Sequence, residues 1–338
     1  MSKNIAIVGG GTGGHLSIAR SIKEALNRRG IKPIFIGSSS GQDYSWFGND
    51  EGFEKKYFYD TQSVVDKGLW GKIKSLLKIL KASYSAQGVL KKHDIDVVFS
   101  VGGYSAAPGS MAAIFRKKRL FIHEQNAVMG KVNAIFAKKA DAIFSPYIEN
   151  SPVKDYPISE IFFDLSRVRT EIKTIIFLGG SQGASAINDF AMKIAKQLDK
   201  KDIRIIHQCG KRDYEKLKKF YFDANIEVDL FQFDKKLYKK IEQADFAISR
   251  AGASTLWELT ASLLPSLYIP YPYAAGDHQY FNAKFLADKK LSLLCRQEDL
   301  NEEILKTILG VDIASMSEGL QGLVSPDGAD KIIDYMGF

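Results

Sequence analysis

The chain is poor in several features that would place it in a class at once. Of its 338 residues only two are cysteines, Cys209 and Cys295, and they lie far apart. That argues against a disulfide framework and a cysteine-based metal site, and it suits the cytoplasm. No apolar run reaches the roughly 18 to 20 residues of a membrane-spanning helix. The run in MSKNIAIVGGG is too short for the core of a signal peptide and flows straight into glycines, so it reads as the first strand of the mature fold. No set of His, Cys, Asp and Glu has metal-ligand spacing, because HEQN and GDHQ are dominated by neutral amides. Acidic residues are scarce in one half only. Residues 1–150 carry 22 Lys and Arg against 12 Asp and Glu, a net +10, whereas residues 151–338 carry 25 against 27. This asymmetry points to an anionic partner for the first half (nucleic acid, anionic lipid or a phosphorylated substrate) or to a surface that lysines merely solubilise.

What is present is a repeated strand, glycine loop and helix. NIAIVGGGTGGHLSIARSIKEALNRRG reads as a strand, a glycine loop and an amphipathic helix stopped by Gly30. IKPIFIGSSSG supplies the next strand, and DIDVVFSVGGYSAAPGSMAAIF and RLFIHEQNAVMGKVNAIFAKKA repeat the pattern. A second start follows at TIIFLGGSQGASAINDFAMKIAKQL, with Gly179 placed 170 residues after Gly9. Strands alternating with helices predict parallel sheets with right-handed crossovers. The expected fold is α/β: two tandem Rossmann-like, doubly wound domains, over residues 1–157 and 158–325, joined at SPVKDYPISE. Placed face to face, such domains would bind a ligand in the cleft between them. Residues 326–338 read as a short helix that either caps the second domain or crosses back to the first.

Gly9, Gly11 and Gly14 satisfy the dinucleotide spacing G-x-G-x-x-G, but that reading needs an acid at the end of strand two. The strand ends FIGSSSG and has none. What remains is a loop whose backbone N–H groups can approach a phosphate at a helix N-terminus. His15 begins the first helical turn, placed as base or donor, or else as a packing residue. GGSQGAS is a second cradle, in which Ser181 and Gln182 bring donors suited to a diphosphate. In SRAGASTLWEL, Glu258 is placed to accept from a ribose diol or to form a salt bridge. HEQNAVMG gathers His123, Glu124, Gln125 and Asn126 at a strand end, where four polar residues in a row suggest a site. GDHQYFNA puts Gln279 and Asn282 on one helical face, as a grip for sugar hydroxyls.

KGLWGKIKSLLKILKA is of another kind. On a helix, Leu69, Trp70, Ile73, Leu76, Leu77 and Leu80 fall within roughly 120° of arc. Lys72, Lys74, Lys78 and Lys81 flank them, and no acid occurs between Lys67 and Lys81. Two readings stand: a stripe packed on the sheet, or an interfacial helix on anionic lipid with Leu69, Trp70, Ile73, Lys74, Leu77 and Lys78 in contact.

Taken in order, GGTGGH, GGY followed by PG, HEQN, GGSQGA, and SRAGASTLWE with HQYFNA resemble the signature of the MurG family, from Gly10 to about Asn282. The resemblance implies the GT-B architecture and an inverting transfer of N-acetylglucosamine from UDP-N-acetylglucosamine (UDP-GlcNAc). The acceptor would be the C4 hydroxyl of the N-acetylmuramyl-pentapeptide of undecaprenyl-diphosphate-linked lipid I, giving lipid II. It implies a peripheral enzyme on the anionic cytoplasmic face of the bacterial inner membrane, with no cofactor and no nucleic-acid partner. By position, Ala253, Thr255 and Glu258 would line the uridine. Ser181, Gln182 and Gly183 would meet the diphosphate, and Gln279, Asn282 and Asn126 the sugar. Thr12, Gly13, Gly14, His15 and Tyr104 would meet the donor sugar and the acceptor's diphosphate. His15 would be the base, with Glu124 orienting it. The family carries GNPVR at the domain junction. Here FDLSR is read in its place, which would put Arg167 in the donor site, with Arg169 two residues on. The alternatives are a GT-B transferase acting from a UDP-sugar on another glycolipid, and a dinucleotide-binding protein without transferase activity.

Overall fold

The computed structural model describes residues 4–62, 68–180 and 183–338. The chain forms two compact units, Met1–Ile158 with Pro326–Phe338, and Ser159–Ser325.

The first unit runs β1 (Asn4–Val8), α1 (Gly13–Arg28), β2 (Ile34–Ser38), α2 (Asp43–Phe47), β3 (Lys55–Tyr59), α3 (Leu69–Lys92), β4 (Ile95–Ser100), α4 (Ala107–Phe115), β5 (Arg119–His123), α5 (Lys131–Phe136) and β6 (Ala142–Phe144). The strands form one parallel sheet in the order β3-β2-β1-β4-β5-β6. Ile5, Ala6, Ile7 and Val8 are all buried. An apolar run without alternation belongs to a strand covered by helices on both faces.

The second unit runs α6 (Ile161–Asp164), β7 (Thr174–Leu178), α7 (Ser185–Asp199), β8 (Arg204–Gln208), α8 (Gly210–Asp223), β9 (Val228–Phe231), α9 (Leu237–Gln243), β10 (Phe246–Ser249), α10 (Ala253–Ala261), β11 (Ser266–Tyr268), α11 (His278–Ala287), β12 (Leu293–Leu294), α12 (Ile304–Leu309) and α13 (Ile313–Gly319). Its sheet order, β12-β11-β10-β7-β8-β9, is the same doubly wound order counted from the other edge. In each sheet the order reverses beside the first strand, between β1 and β4 and between β7 and β10. That reversal opens a crevice at the carboxyl ends of the strands.

The final helix, α14 (Gly328–Met336), folds with the first unit. Ile332, Ile333 and Met336 are fully buried. Arg28 and Arg29, at the end of α1, pair with Asp330 and Asp334, and Arg29 also donates to the Phe338 carbonyl at 2.8 Å. Lys331 meets Asp155 at 2.9 Å.

Helix α3 buries the face opposite to the one its leucines suggest. Ile79, Ala82, Ala86, Val89 and Leu90 join the core, and Ser75 and Ser83 are buried beside them. Small side chains on this face let the helix lie close along α4. Trp70 is 83% exposed, Leu77 61% and Tyr84 80%, and Ile73, Leu76 and Leu80 are exposed with them. The alternative in which the stripe packs onto the sheet is therefore set aside for these residues. The Leu69 side chain and Lys67 lie outside the described residues.

Ile332→Ala is expected to destabilise the full chain by about 2–5 kcal/mol, as buried truncations do. Asp334→Ala, which removes an exposed ion pair, is expected to cost less than about 1 kcal/mol. Urea unfolding of the two variants tests the ranking.

Candidate active site

In the first unit the glycine loop after β1 lies against the loop after β4. Gly10 N–H donates to the Gly102 carbonyl at 3.2 Å, and a Cβ on Gly9 would sit 2.5 Å from that same oxygen. Gly9 and Gly10 have φ of +115° and +143°, so glycine is required twice over. The Gly11 N–H points the other way, to Asp43 Oδ1 at 2.5 Å, while Asp43 Oδ2 accepts from Ser38 N–H at 2.8 Å. Asp43 is fully buried, and desolvation raises its carboxyl against the pull of these amides. An acid does therefore serve this loop. It stands five residues beyond β2, and both its oxygens are bonded to the protein's own backbone.

His15 sits at the mouth of this loop with both ring nitrogens engaged. Nδ1 lies 2.8 Å from Thr12 Oγ1, and Nε2 lies 2.9 Å from the side-chain amide nitrogen of Gln125. With the amide donating, Nε2 carries the lone pair and Nδ1–H donates to Thr12. The residue beside His15 is Gln125, where the sequence reading expected Glu124. Glu124 is buried, and its carboxylate accepts from Asn126 N–H, Gly130 N–H and the Asn133 amide, each at 2.9 Å. It folds the loop that carries Gln125 and Asn126. His123 is fully buried, edge-on to Tyr156; burial and nearby His15 push its pKa down to about 3. Tyr104 donates its hydroxyl to the Ser40 carbonyl, and a Cβ on Gly11 would strike its ring. Gly13 and Gly14 open α1 beside it, half-buried, and Asn126 is also half-buried.

In the second unit a cavity of about 610 Å³ opens at the carboxyl ends of β7, β8 and β10. Its wall takes Gly179, Gly180, Gly183 and Ser185 from the first loop and helix, Gly252 and Thr255 from the start of α10, and Tyr271 and Gln279 from the approach to α11 and its first turn. Among the described residues no carboxylate lines it, and two arginines do, Arg212 and Arg250. Gly183 has φ +77°, and a Cβ there would lie 2.6 Å from the Cys209 carbonyl. Thr255 and Gln279 both line this cavity. Ala253 is buried beneath the wall, and Glu258 is half-buried further along the same helix. Asn282 is fully buried and donates to the Ala251 carbonyl at 3.3 Å, so it shapes the β10–α10 loop instead of reaching into the cavity. Ser181 and Gln182 lie outside the described residues. Among the described residues, no group of three or more His, Cys, Asp and Glu could hold a metal ion.

The comparisons with known proteins agree with this geometry. The glycosyltransferase family 28 N-terminal domain matches residues 5–145, and the family 28 C-terminal domain matches residues 174–318. The UDP-N-acetylglucosamine--N-acetylmuramyl-(pentapeptide) pyrophosphoryl-undecaprenol N-acetylglucosamine transferase of Wolinella succinogenes is 49% identical over 333 residues, 98% of this chain and 99% of the relative. The Nitratiruptor enzyme of the same name is 52% identical over 329 residues, 97% of each chain. The crystal structure of Acinetobacter baumannii MurG superposes with a TM-score of 0.82 at 28% identity, covering 99% of both chains. The chain belongs to the MurG family. It is a glycosyltransferase of GT-B architecture. A Staphylococcus aureus MnaA–UDP structure, 12% identical with a TM-score of 0.67, covers 99% of this chain and 96% of its own and shares the fold alone.

Against the family pattern, the arginine is the point of correction. Arg167 donates to the Glu242 and Ala244 carbonyls and meets Asp245 at 2.6 Å. These partners precede β10, so Arg167 sits at the amino end of the sheet, away from the cavity. Arg169 is fully buried and bonds to the Ile241, Ala244 and Ser262 carbonyls; burial and Arg167 push its pKa down to about 9. Neither is part of the cavity wall. The unit boundary lies between Ile158 and Ser159, just before FDLSR. Arg250, missed by the sequence reading although it opens the SRAGAS motif, is held by the Ile269 and Pro270 carbonyls and by Gln297 Oε1 at 2.7 Å. Arg212, also missed, lies in the first turn of α8, in QCGKRDY.

Two buried histidines, His123 and His207, stay neutral down to about pH 3 in the folded chain. Unfolded, each takes a proton near pH 6.5. Between those values the unfolded state binds more protons, so stability is lost as pH falls below about 6.5. The expected loss from pH 7 to pH 5 is on the order of 2 kcal/mol per histidine. Replacing His207 by Gln should remove its share from the pH dependence of urea unfolding, and an unchanged slope would contradict its neutral burial.

Proposed function

We propose that the chain transfers N-acetylglucosamine from UDP-GlcNAc to the C4 hydroxyl of the N-acetylmuramyl-pentapeptide of undecaprenyl-diphosphate-linked lipid I, with inversion, giving the β-1,4 link of lipid II. The observation that carries the donor half is the cavity of the second unit, walled by arginines, glycines and helix N-termini with no carboxylate among the described residues. Such a wall favours a diphosphate. The names of the relatives supply the sugar and the acceptor. The first unit takes the acceptor at the His15 loop.

In the reaction the acceptor O4 attacks C1 of the sugar. The bond from C1 to the β-phosphate oxygen breaks, and its electron pair leaves with UDP. The O4 proton passes to His15 Nε2, the ring nitrogen that accepts from the Gln125 amide. Thr12 Oγ1 accepts Nδ1–H and holds the ring in the tautomer this transfer needs. The donor's sugar hydroxyls fall to the amide of Gln279, in the first turn of α11 on the cavity wall.

We further infer that the first unit rests on an anionic membrane surface at the cytoplasmic face. No helix among the described residues is long and apolar enough to cross a membrane. The exposed row Trp70, Ile73, Leu77, Leu80 and Tyr84 on α3, with exposed Lys72, Lys74 and Lys81 beside it, fits a helix lying in the headgroup layer. Lys78 belongs to this row less than expected, because its ammonium meets Asp60 at 2.6 Å.

Release of UDP from UDP-GlcNAc in the presence of a soluble lipid I analogue tests the activity, and no release would overturn it. His15→Ala is expected to lower kcat by about 10²- to 10⁴-fold while UDP affinity is retained. Trp70→Ser combined with Leu77→Ser should reduce co-sedimentation with phosphatidylglycerol vesicles by about tenfold or more, as lost apolar burial predicts. Undiminished sedimentation would remove α3 from the contact.

A further inference from the structure

The charge that develops on departing UDP needs a cation, and the donor cavity has an unusual supply. The two arginines nearest the junction motif are anchored at the amino end of the second sheet. Arg250 lines the cavity, but its guanidinium is committed to two carbonyls and Gln297, and desolvation lowers its pKa. Arg212 is different. Its side chain is 69% exposed, and its bonds are to Ser185 Oγ and, at 3.4 Å, to its neighbour Asp213. Ser185 is the first residue of α7, directly after the glycine loop, where unpaired helical N–H groups gather. Arg212 thus reaches the mouth of the cradle with guanidinium N–H donors to spare.

A chain of bonds beneath it sets its position. Asp213 Oδ2 accepts from Ser185 Oγ and from Asn188 Nδ2, both at 2.8 Å. Asn188 Oδ1 lies 3.0 Å from His207 Nε2, and His207 Nδ1 lies 3.0 Å from the Tyr221 hydroxyl. This network ties the first turn of α7 to the first turn of α8. It also keeps Asp213 ionised, its carboxyl held below the ordinary value by bonds from Asn188, Ser185 and Arg212 that outweigh desolvation. Asp213 is turned away from the cavity, whose wall does not include it.

We propose that Arg212 is the cation that meets the β-phosphate of the departing UDP. This rests on the donor reading above and names the residue that completes it. When the C1–O bond breaks, the electron pair adds one negative charge to the diphosphate. A planar guanidinium can take two phosphate oxygens at once. It therefore binds the leaving group more strongly than the intact donor, which is the difference that lowers a barrier.

The test uses the full chain with Arg212→Ala and Arg212→Lys, each compared with wild type by circular dichroism and thermal unfolding. UDP and uridine are titrated separately by calorimetry, and kcat is measured with UDP-GlcNAc and a lipid I analogue. Arg212→Ala should weaken UDP by about 10- to 100-fold, leave uridine unchanged and lower kcat by about 10²-fold. Arg212→Lys should recover part of the UDP affinity, since charge survives without the fork. Equal loss of UDP and uridine, or no loss of either, would overturn the assignment while leaving the donor reading intact. Wild-type protein that binds UDP no better than ADP would overturn the donor reading, and this assignment with it.

Discussion

The two glycine loops that flank the strand-order reversal in the first sheet touch backbone to backbone. Gly10 N–H bonds to the Gly102 carbonyl, and a side chain on Gly9 would collide with the same oxygen. A doubly wound sheet opens its crevice at this reversal, and only loops without side chains leave room for a ligand there. In the second sheet Gly183, after β7, closes instead on the Cys209 carbonyl after β8, on the side of β7 away from the reversal. His15 stands on the first turn of the helix that leaves the first crevice, and Arg212 on the first turn of the helix that follows β8, beside the close contact of Gly183.

Buried charge in this chain is used to shape backbone. Asp43 holds Gly11 and Ser38, Glu124 holds Gly130, Asn126 and Asn133, and Arg169 gathers carbonyls from α9 and the turn after α10. An ion removed from water must find several strong partners, and backbone groups at loop ends supply them. Once satisfied in this way it has little left for a ligand. The side chains suited to chemistry are those kept partly in solvent, with one or two bonds that aim them. His15 between Thr12 and Gln125, and Arg212 on Ser185, are of this kind.

Helix α3 follows the same division in apolar form. Ser75, Ile79, Ala82, Ser83, Ala86, Val89 and Leu90 go inward, where close packing along α4 rewards them, and Trp70, Ile73, Leu76, Leu77, Leu80 and Tyr84 go outward. Amphipathicity ordinarily identifies a core-facing stripe. Here the stripe with the larger side chains faces out, and the narrower row of Ile79, Ala82, Ala86, Val89 and Leu90 makes the core contact.

Much of the fold was legible in the sequence. Strand-to-helix periodicity and loop glycines are properties of neighbouring residues, so the sequence alone determined two Rossmann-like units, the positions of their ligand loops and the family. That His15, Thr255 and Gln279 stand on the first turns of helices was legible for the same reason, since each follows a loop. The remainder depended on residues distant in the chain. Gln125 replaced Glu124 beside His15 because Glu124 is drawn to Gly130 and Asn133. Arg167 and Arg169 were drawn to the amino end of β10, and Arg212 became the exposed arginine on the wall of the second unit's cavity. The outward face of α3 and the return of α14 to α1 were likewise decided by packing. Local sequence sets backbone geometry, whereas the partner that a side chain meets depends on which surfaces the tertiary structure brings within hydrogen-bond or contact range.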